Sequence, residues 1–377
     1  MEWQERAARL AETVTRPGSR WHKPVAAVPR HLLIPRWFEA NAGTWELRDG
    51  PGDERAWLEA AYSPARSLVT RVGPVHADHA AGGEPVRGRP TSSATLPLLV
   101  VMMLQYACIQ DDSEVLEIGT GSGYSTALLA RRLGDSQVTS VEVDAYLTQA
   151  ARERLGAMGL HPGLITADAT GALGAGRYDR LVATTSVWRI PVSWLQALRA
   201  GGWLVTTISG TGMIITAGKT PDGGAAGQVE WMSAGFMPAR SDSDYPPALQ
   251  RHDRPLPEAE SSRGRYPLPN LPATRNLRTM LQLAAPGIEH DYRRTADGLR
   301  TASMLHPDGS WAVATAEGLE PPLVRQGGPR RLWDMLDEIR SRWLAEGCEF
   351  PFHGATATIR PDGTCELTRG SWSATIA

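Results

Sequence analysis

Residues 115–124 read VLEIGTGSGY, an apolar run followed at once by glycines at 119, 121 and 123. A buried strand ending in so glycine-rich a turn leads into a helix packed close to its sheet, and the missing side chains let a ligand reach the backbone. The pattern is E-x-G-x-G-x-G. A dinucleotide fingerprint would need glycine where Tyr124 stands, and the acid at Glu117 suits a cationic or amine-bearing ligand better than a pyrophosphate. Taken alone, such a turn is also a plain strand-to-helix connection.

The surroundings extend the pattern. From Pro97 to about Arg240, apolar strands at 114–118, 137–143, 163–167, 180–184 and 203–208 alternate with helices at 124–133, 145–158 and 192–199. Alternation of this length implies right-handed crossovers and a mostly parallel, seven-stranded α/β sheet covered on both faces. Two further apolar segments, 213–218 and 229–237, have no helix between them and read as an antiparallel hairpin closing the sheet edge. Residues 1–83 read as an N-terminal helical cap, with helices at 2–15 and 54–62. Residues 84–240 form the core, and 241–275, with seven prolines, a linker. Residues 276–377 read as a small α+β domain for substrate recognition. It has strands at 310–315, 354–359 and 365–368, a Pro361-Asp362-Gly363 turn and a helix at 329–344.

Glu142 ends the second strand, where a carboxylate accepts hydrogen bonds from ribose hydroxyls. One strand later, Asp168 and Ala169 sit over the same crevice, where a nucleobase amino group would lie. Alone, Glu142 is a solvated strand end and Asp168 a turn residue. Together with the glycine turn they describe an adenosine ligand without phosphates, and S-adenosyl-L-methionine fits. The expected cofactor set is Glu117, Gly119, Thr120, Gly121, Ser122, Gly123, Tyr124, Glu142, Val143, Asp168, Ala169 and Thr184.

Composition narrows the partners. With 39 basic and 41 acidic residues the net charge is −2, which gives no general attraction to nucleic acid or anionic lipid. The longest apolar run, 96–109, is too short to span a bilayer, and the charged N-terminus is no secretory leader. Cys108, Cys348 and Cys365 are too scattered for a disulfide framework or a thiolate metal site, so a reducing cytosol is expected. His76-Ala77-Asp78-His79 lacks a third clustered ligand, and no metal is expected. A monomer acting on a peptide is the expected state.

Several segments carry a family resemblance. Val28-Pro29-Arg30-His31-Leu32-Leu33-Ile34-Pro35, then Ser92-Ser93-Ala94-Thr95-Leu96-Pro97, LEIGTGSGYSTALLA, ADATGAL, RYDRLVATTSV and LRAGGWLV occur in one order between about 25 and 240. This assembly resembles the protein-L-isoaspartate O-methyltransferase family. The resemblance implies a class I (Rossmann-like) methyltransferase fold and transfer of a methyl group to a carboxylate. It places Thr95 at the family's active-site serine, and Ser92 and Ser93 at the neighbouring Gln-Thr pair of the usual QTISQP. Thr91, Ser92, Ser93 and Thr95 would orient a carboxylate without neutralising it, some supplemented by backbone N–H groups at the helix start. The alternative is that they are helix N-caps.

Two departures, the altered hydroxyl segment and about 137 residues beyond 240, point to a dedicated substrate. The architecture resembles the branch that esterifies an Asp of a lanthipeptide or related ribosomally made peptide, the ester then closing to an aspartimide. Isoaspartyl repair is the second reading and a non-catalytic peptide-binding scaffold the third. Arg30 and His31 are read as substrate contacts or cap-to-core packing. Trp188, Trp194, Trp203 and Trp231 are read as core or interface residues. Arg330, Arg331, Trp333 and Trp343 are read as peptide recognition or one face of an ordinary amphipathic helix.

Overall fold

The computed structural model describes residues 2–241, 259 and 261–377; most of the proline-rich stretch expected to be a linker lies outside the described residues. The N-terminal region carries helices α1 (Trp3–Val14) and α2 (His22–Ala27), strands β1 (Arg36–Asn41) and β2 (Thr44–Asp49), and helix α3 (Glu54–Ala61). Strands β3 (Leu68–Val72), β4 (Val75–His76) and β5 (Pro90–Ala94) follow. The cap is therefore not helical alone. Its five strands form a small antiparallel sheet in which β1 is flanked by β2 and β3, and β5 pairs with β3. The β1–β2 hairpin turns on Ala42 and Gly43, at φ +45° and +84°. Two consecutive positive φ angles make the two-residue loop whose twist suits a hairpin.

The core begins with α4 (Pro97–Tyr106), apolar almost all round and buried between α1 and the central sheet. Then come β6 (Val115–Ile118), α5 (Tyr124–Leu133), β7 (Val138–Glu142), α6 (Ala145–Ala157) and β8 (Gly163–Thr166). After them run β9 (Tyr178–Val187), α7 (Val192–Ala197), β10 (Leu198–Ile208), β11 (Met213–Lys219) and β12 (Ala225–Ser233). Strands β8, β7, β6, β9 and β10 are parallel neighbours in that order. Strands β6 and β7 are buried at every position, as parallel strands covered on both faces must be. The chain leaves β6 toward β7 and returns to its other side at β9. That reversal opens a crevice at the carboxyl ends of the strands, where ligands of such sheets bind.

The expected hairpin is present as β11 and β12, but it does not close the sheet. After β13 (Ser261–Arg263), α8 (Arg275–Ala284), β14 (Glu289–Arg294), β15 (Arg300–Leu305), β16 (Trp311–Ala316), β17 (Leu323–Gly327) and α9 (Leu332–Ala345), the chain comes back. Strands β18 (Thr356–Ile359), β19 (Cys365–Arg369) and β20 (Trp372–Ile376) add to β12, making ten strands rather than seven, with every pairing from β10 outward to β20 antiparallel. The C-terminal region is thus divided. Strands β13 to β17 form their own antiparallel sheet under α8 and α9, while the last three strands belong to the core sheet. The expected turn at 361–363 joins β18 to β19. Gly363, at φ +88°, has no room for a Cβ, which would lie 2.1 Å from the Ile190 carbonyl oxygen. Trp194 and Trp333 are core residues, but Trp188 and Trp231 are more than half exposed; Trp231 stacks on His353 instead of filling an interface.

Candidate active site

At the topological switch point lies a cavity of about 310 Å³, within the range of small-ligand pockets. Its floor is the turn after β6, where Gly119 and Gly121 have φ +94° and +52°. A Cβ on Gly119 would stand 2.8 Å from Thr185 Cγ2 and 2.9 Å from Thr184 Oγ1, so β9 and the turn touch only because that side chain is missing. A Cβ on Gly121 would meet nothing closer than the Ser93 carbonyl oxygen at 3.7 Å, across the open cavity. Thr184 fastens the two strands by donating to the carbonyls of Ile118 (3.1 Å) and Gly119 (2.7 Å).

One wall is the end of β7. Glu142 is only 8% exposed, and accepts from Gly121 N (2.9 Å) and Asp144 N (3.2 Å). Burial raises its pKa, opposed by those amides and by the charge of Arg240. Two bonds leave lone pairs of the carboxylate for ligand hydroxyls. Asp144 caps α6 through Tyr146 N (3.0 Å) and Leu147 N (3.2 Å), and pairs with His76 (3.2 Å) and Arg71 (3.5 Å). Burial pushes its carboxyl up, but His76, the Leu147 N–H and Arg71 together outweigh that and hold it at about 2. Asp78 binds Tyr146 and Arg154. The residues of the His76-Ala77-Asp78-His79 segment therefore brace α6 and the cap, and among the described residues no group of three metal-ligating side chains occurs.

The opposite wall is the hydroxyl segment. Thr91 donates to the Gly73 carbonyl (2.8 Å) and accepts from Arg71 (3.0 Å), and Ser92 accepts from Thr70 (3.0 Å). Ser93 and Thr95 also line the cavity, and among the described residues neither hydroxyl has a hydrogen-bond partner. None of the four caps α4. Its N-cap is Leu96, whose N–H goes to Ser67 Oγ (3.0 Å), and the Leu98 N–H goes to the Pro64 carbonyl (3.1 Å). Those amides are committed to the protein and do not supplement the hydroxyls.

Thr120, Ser122, Tyr124 and Val143 join the lining, but four expected residues do not. Glu117, on β6 itself, is fully buried, accepting from Thr126 and from Ser140 (2.7 Å), and burial raises its pKa. It organises the layer beneath the turn and offers no face to a ligand. Gly123, at φ +86°, starts α5 against Ala151 of α6. Asp168 accepts from Thr170 N (2.8 Å) and Thr170 Oγ1 (2.7 Å), closing its own turn, and Ala169 is tied by its carbonyl to Trp194 (2.8 Å).

The sequence reading missed the roof. After β12 ends at Ser233, the segment 235–240 crosses the end of β9, held by Ser186 N to the Met237 carbonyl (2.9 Å) and Ala239 N to the Ser186 carbonyl (2.7 Å). Its apolar residues had been assigned to the hairpin strand, and no periodicity marks where β12 stops. Ser67 and Thr185, likewise unremarkable in sequence, also line the cavity.

The profile described as Protein-L-isoaspartate(D-aspartate) O-methyltransferase (PCMT) matches residues 81–243. The protein-L-isoaspartate O-methyltransferase of Ignicoccus hospitalis is 33% identical over 145 residues, which are 37% of this chain and 68% of the relative. The chain belongs to the protein-L-isoaspartate O-methyltransferase family. The Myxococcus xanthus member is 34% identical over 149 residues, 38% of this chain and 69% of its own. A solved protein-L-isoaspartate O-methyltransferase superposes at TM-score 0.50 over 99% of this chain and 98% of its own, at 15% identity, a likeness of fold that includes the C-terminal region. The chain is thus a class I, S-adenosylmethionine-dependent carboxyl O-methyltransferase. The cavity fits that cofactor. Besides Glu142 and the open Gly121, Tyr124 Oη and Thr185 Oγ1, buried hydroxyls of two lining residues, have no partner among the described residues. Among the described residues no helix is long and apolar enough to cross a membrane.

Proposed function

We propose that this chain methylates the carboxylate of an isoaspartyl residue in a peptide or protein. The observation that carries the reading is the pairing, across one cavity, of Glu142 and the glycine turn with two unengaged hydroxyls, Ser93 and Thr95. In this proposal Gly119, Gly121, Glu142, Val143 and Thr184 hold the cofactor, and Thr95 with Ser93 orients the acceptor. The bound cofactor supplies a methyl group on a positively charged sulfur. A carboxylate with an ordinary pKa near ~3.9 is already ionised at neutral pH, so the chain needs no general base. Hydroxyl donors fix the oxygen without cancelling its charge, and the walls keep water away while opposite charges meet. The methyl–oxygen bond forms as the methyl–sulfur bond breaks, leaving two neutral products.

Incubating the full chain with methyl-labelled cofactor and an isoaspartyl peptide should give label that base releases as methanol. No label from protein that still binds S-adenosylhomocysteine would overturn the assignment. The narrower reading, an Asp of a modified precursor peptide whose ester closes to an aspartimide in a reducing cytosol, draws on the altered segment at 91–95. The C-terminal region gives it less weight than its length suggested, because a solved protein-L-isoaspartate O-methyltransferase has a fold of matching extent. Label on a cyclised aspartyl peptide in preference to the isoaspartyl one would favour it.

A further inference from the structure

Arg30 has no accessible surface, yet among the described residues it makes no ion pair. Its guanidinium donates only to main-chain carbonyls: Ala61 at the end of α3, Ala94 (3.3 Å) and Thr95 (3.0 Å). Its Nε has no partner among the described residues, and the group lies 5.1 Å from the ring centre of Tyr124, a cavity-lining residue. The titratable groups beside it are the phenols of Tyr62 and Tyr124, which burial keeps protonated and neutral, with no carboxylate among them. A buried guanidinium without an anion is costly to keep and is normally paired. Two of its three acceptors are the Ala94 and Thr95 carbonyls, just ahead of α4, and Thr95 lines the cavity.

We propose that Arg30 is a positioning residue for the acceptor carboxylate. Its fork fixes the Ala94 and Thr95 carbonyls, which sets the Thr95 hydroxyl against the cavity, and its charge is balanced by an anion bound across that peptide. The acceptor is then selected for its negative charge from behind the wall, by a side chain that never touches it. This rests on the carboxyl-methylating reading above.

The test is equilibrium binding in the presence of S-adenosylhomocysteine. The ligands are an isoaspartyl peptide and the same peptide with that carboxylate as an amide, with an aspartyl and asparaginyl pair run alongside. The wild type should prefer a carboxylate over its amide at least tenfold; equal binding in both pairs would overturn the proposal with no variant needed. Arg30→Met, checked by S-adenosylhomocysteine affinity within threefold of wild type, should bring the ratio below about three, and an unchanged ratio would overturn it. Should Arg30→Met not fold, Arg30→Lys decides: it keeps the charge and loses the fork. Its ratio should stay within threefold of wild type while kcat falls tenfold or more, and a collapsed ratio or an unchanged kcat would count against the proposal. A purely structural arginine would weaken both members of a pair alike. Wild-type methyl transfer is read separately. Charge preference without methylation of the isoaspartyl peptide would sink the functional reading and leave this one standing.

Discussion

Ser93 and Thr95 are set apart from Thr91 and Ser92 by what their hydroxyls touch. Thr91 and Ser92 are bonded to β3 and its turn, so their loss should register mainly as stability. Thr95→Ala should lower kcat/KM by 10- to 100-fold, about 1.4 to 2.7 kcal/mol, while S-adenosylhomocysteine affinity moves less than threefold by calorimetry. Equal losses in both would return Thr95 to a structural role. Glu142→Ala should weaken the cofactor tenfold or more and Asp168→Ala by less than threefold, since Asp168 closes its own turn. His31 offers a pH test. Burial, against Trp57 and with Tyr62 Oη at 2.9 Å, lowers its pKa to about 4 from 6.5. Its stabilising contribution is therefore complete above about 6.5 and lost as pH falls through about 4. The loss amounts to roughly 2 kcal/mol by pH 5. Urea midpoints between pH 7 and 4 should fall less steeply in His31→Gln than in the wild type; parallel slopes would contradict this. At this scale residue types and spacing pointed to Glu142, and the family resemblance pointed to Thr95. The sequence could not disclose which hydroxyls were already bonded, because Thr70, Arg71 and Gly73 reach them only through the β3–β5 pairing.

Among elements, the turn after β6 separates two jobs that adjacent glycines share. Gly119→Ala puts a Cβ against Thr184 and Thr185 at a positive φ, and should cost about 2 kcal/mol or more in urea melts. Gly121→Ala faces open space, so its expected cost is the backbone's alone, about 1 kcal/mol, while cofactor affinity drops by more than tenfold. The reverse ranking of stability would mean that the turn is held otherwise than by contact with β9. Strand and helix alternation made this turn and its neighbours readable from β6 to β11, since apolar runs and glycine breaks are local signals. The β1–β2 hairpin stayed hidden because the adjacent apolar pair Trp37-Phe38 breaks the alternation of β1, although Asn41-Ala42-Gly43 was a usable turn signal. The roof at 235–240 had no local signal at all. Its path is set by main-chain bonds to Ser186, some fifty residues earlier.

For the whole molecule, the boundary drawn near residue 240 runs through a sheet. Strand β18 pairs with β12, and Phe352, Ile359 and Leu367 fill the core beneath β10 to β12. A chain cut after residue 240 would leave the outer edge of β12 unpaired and that core open, so it should be insoluble or melt without cooperativity. A soluble 1–240 fragment with a single sharp transition and wild-type cofactor affinity would show that the last three strands are an appendage. Composition could not foresee this return, because pairing across more than a hundred residues leaves no periodic trace. The central claim is that the cavity at the switch point brings a methyl donor to an isoaspartyl carboxylate. Its most direct test is the ratio of kcat/KM for an isoaspartyl peptide to that for the matched aspartyl peptide with the full chain: a ratio well above one is predicted, and a ratio of one or below, in protein that binds S-adenosylhomocysteine, would contradict it.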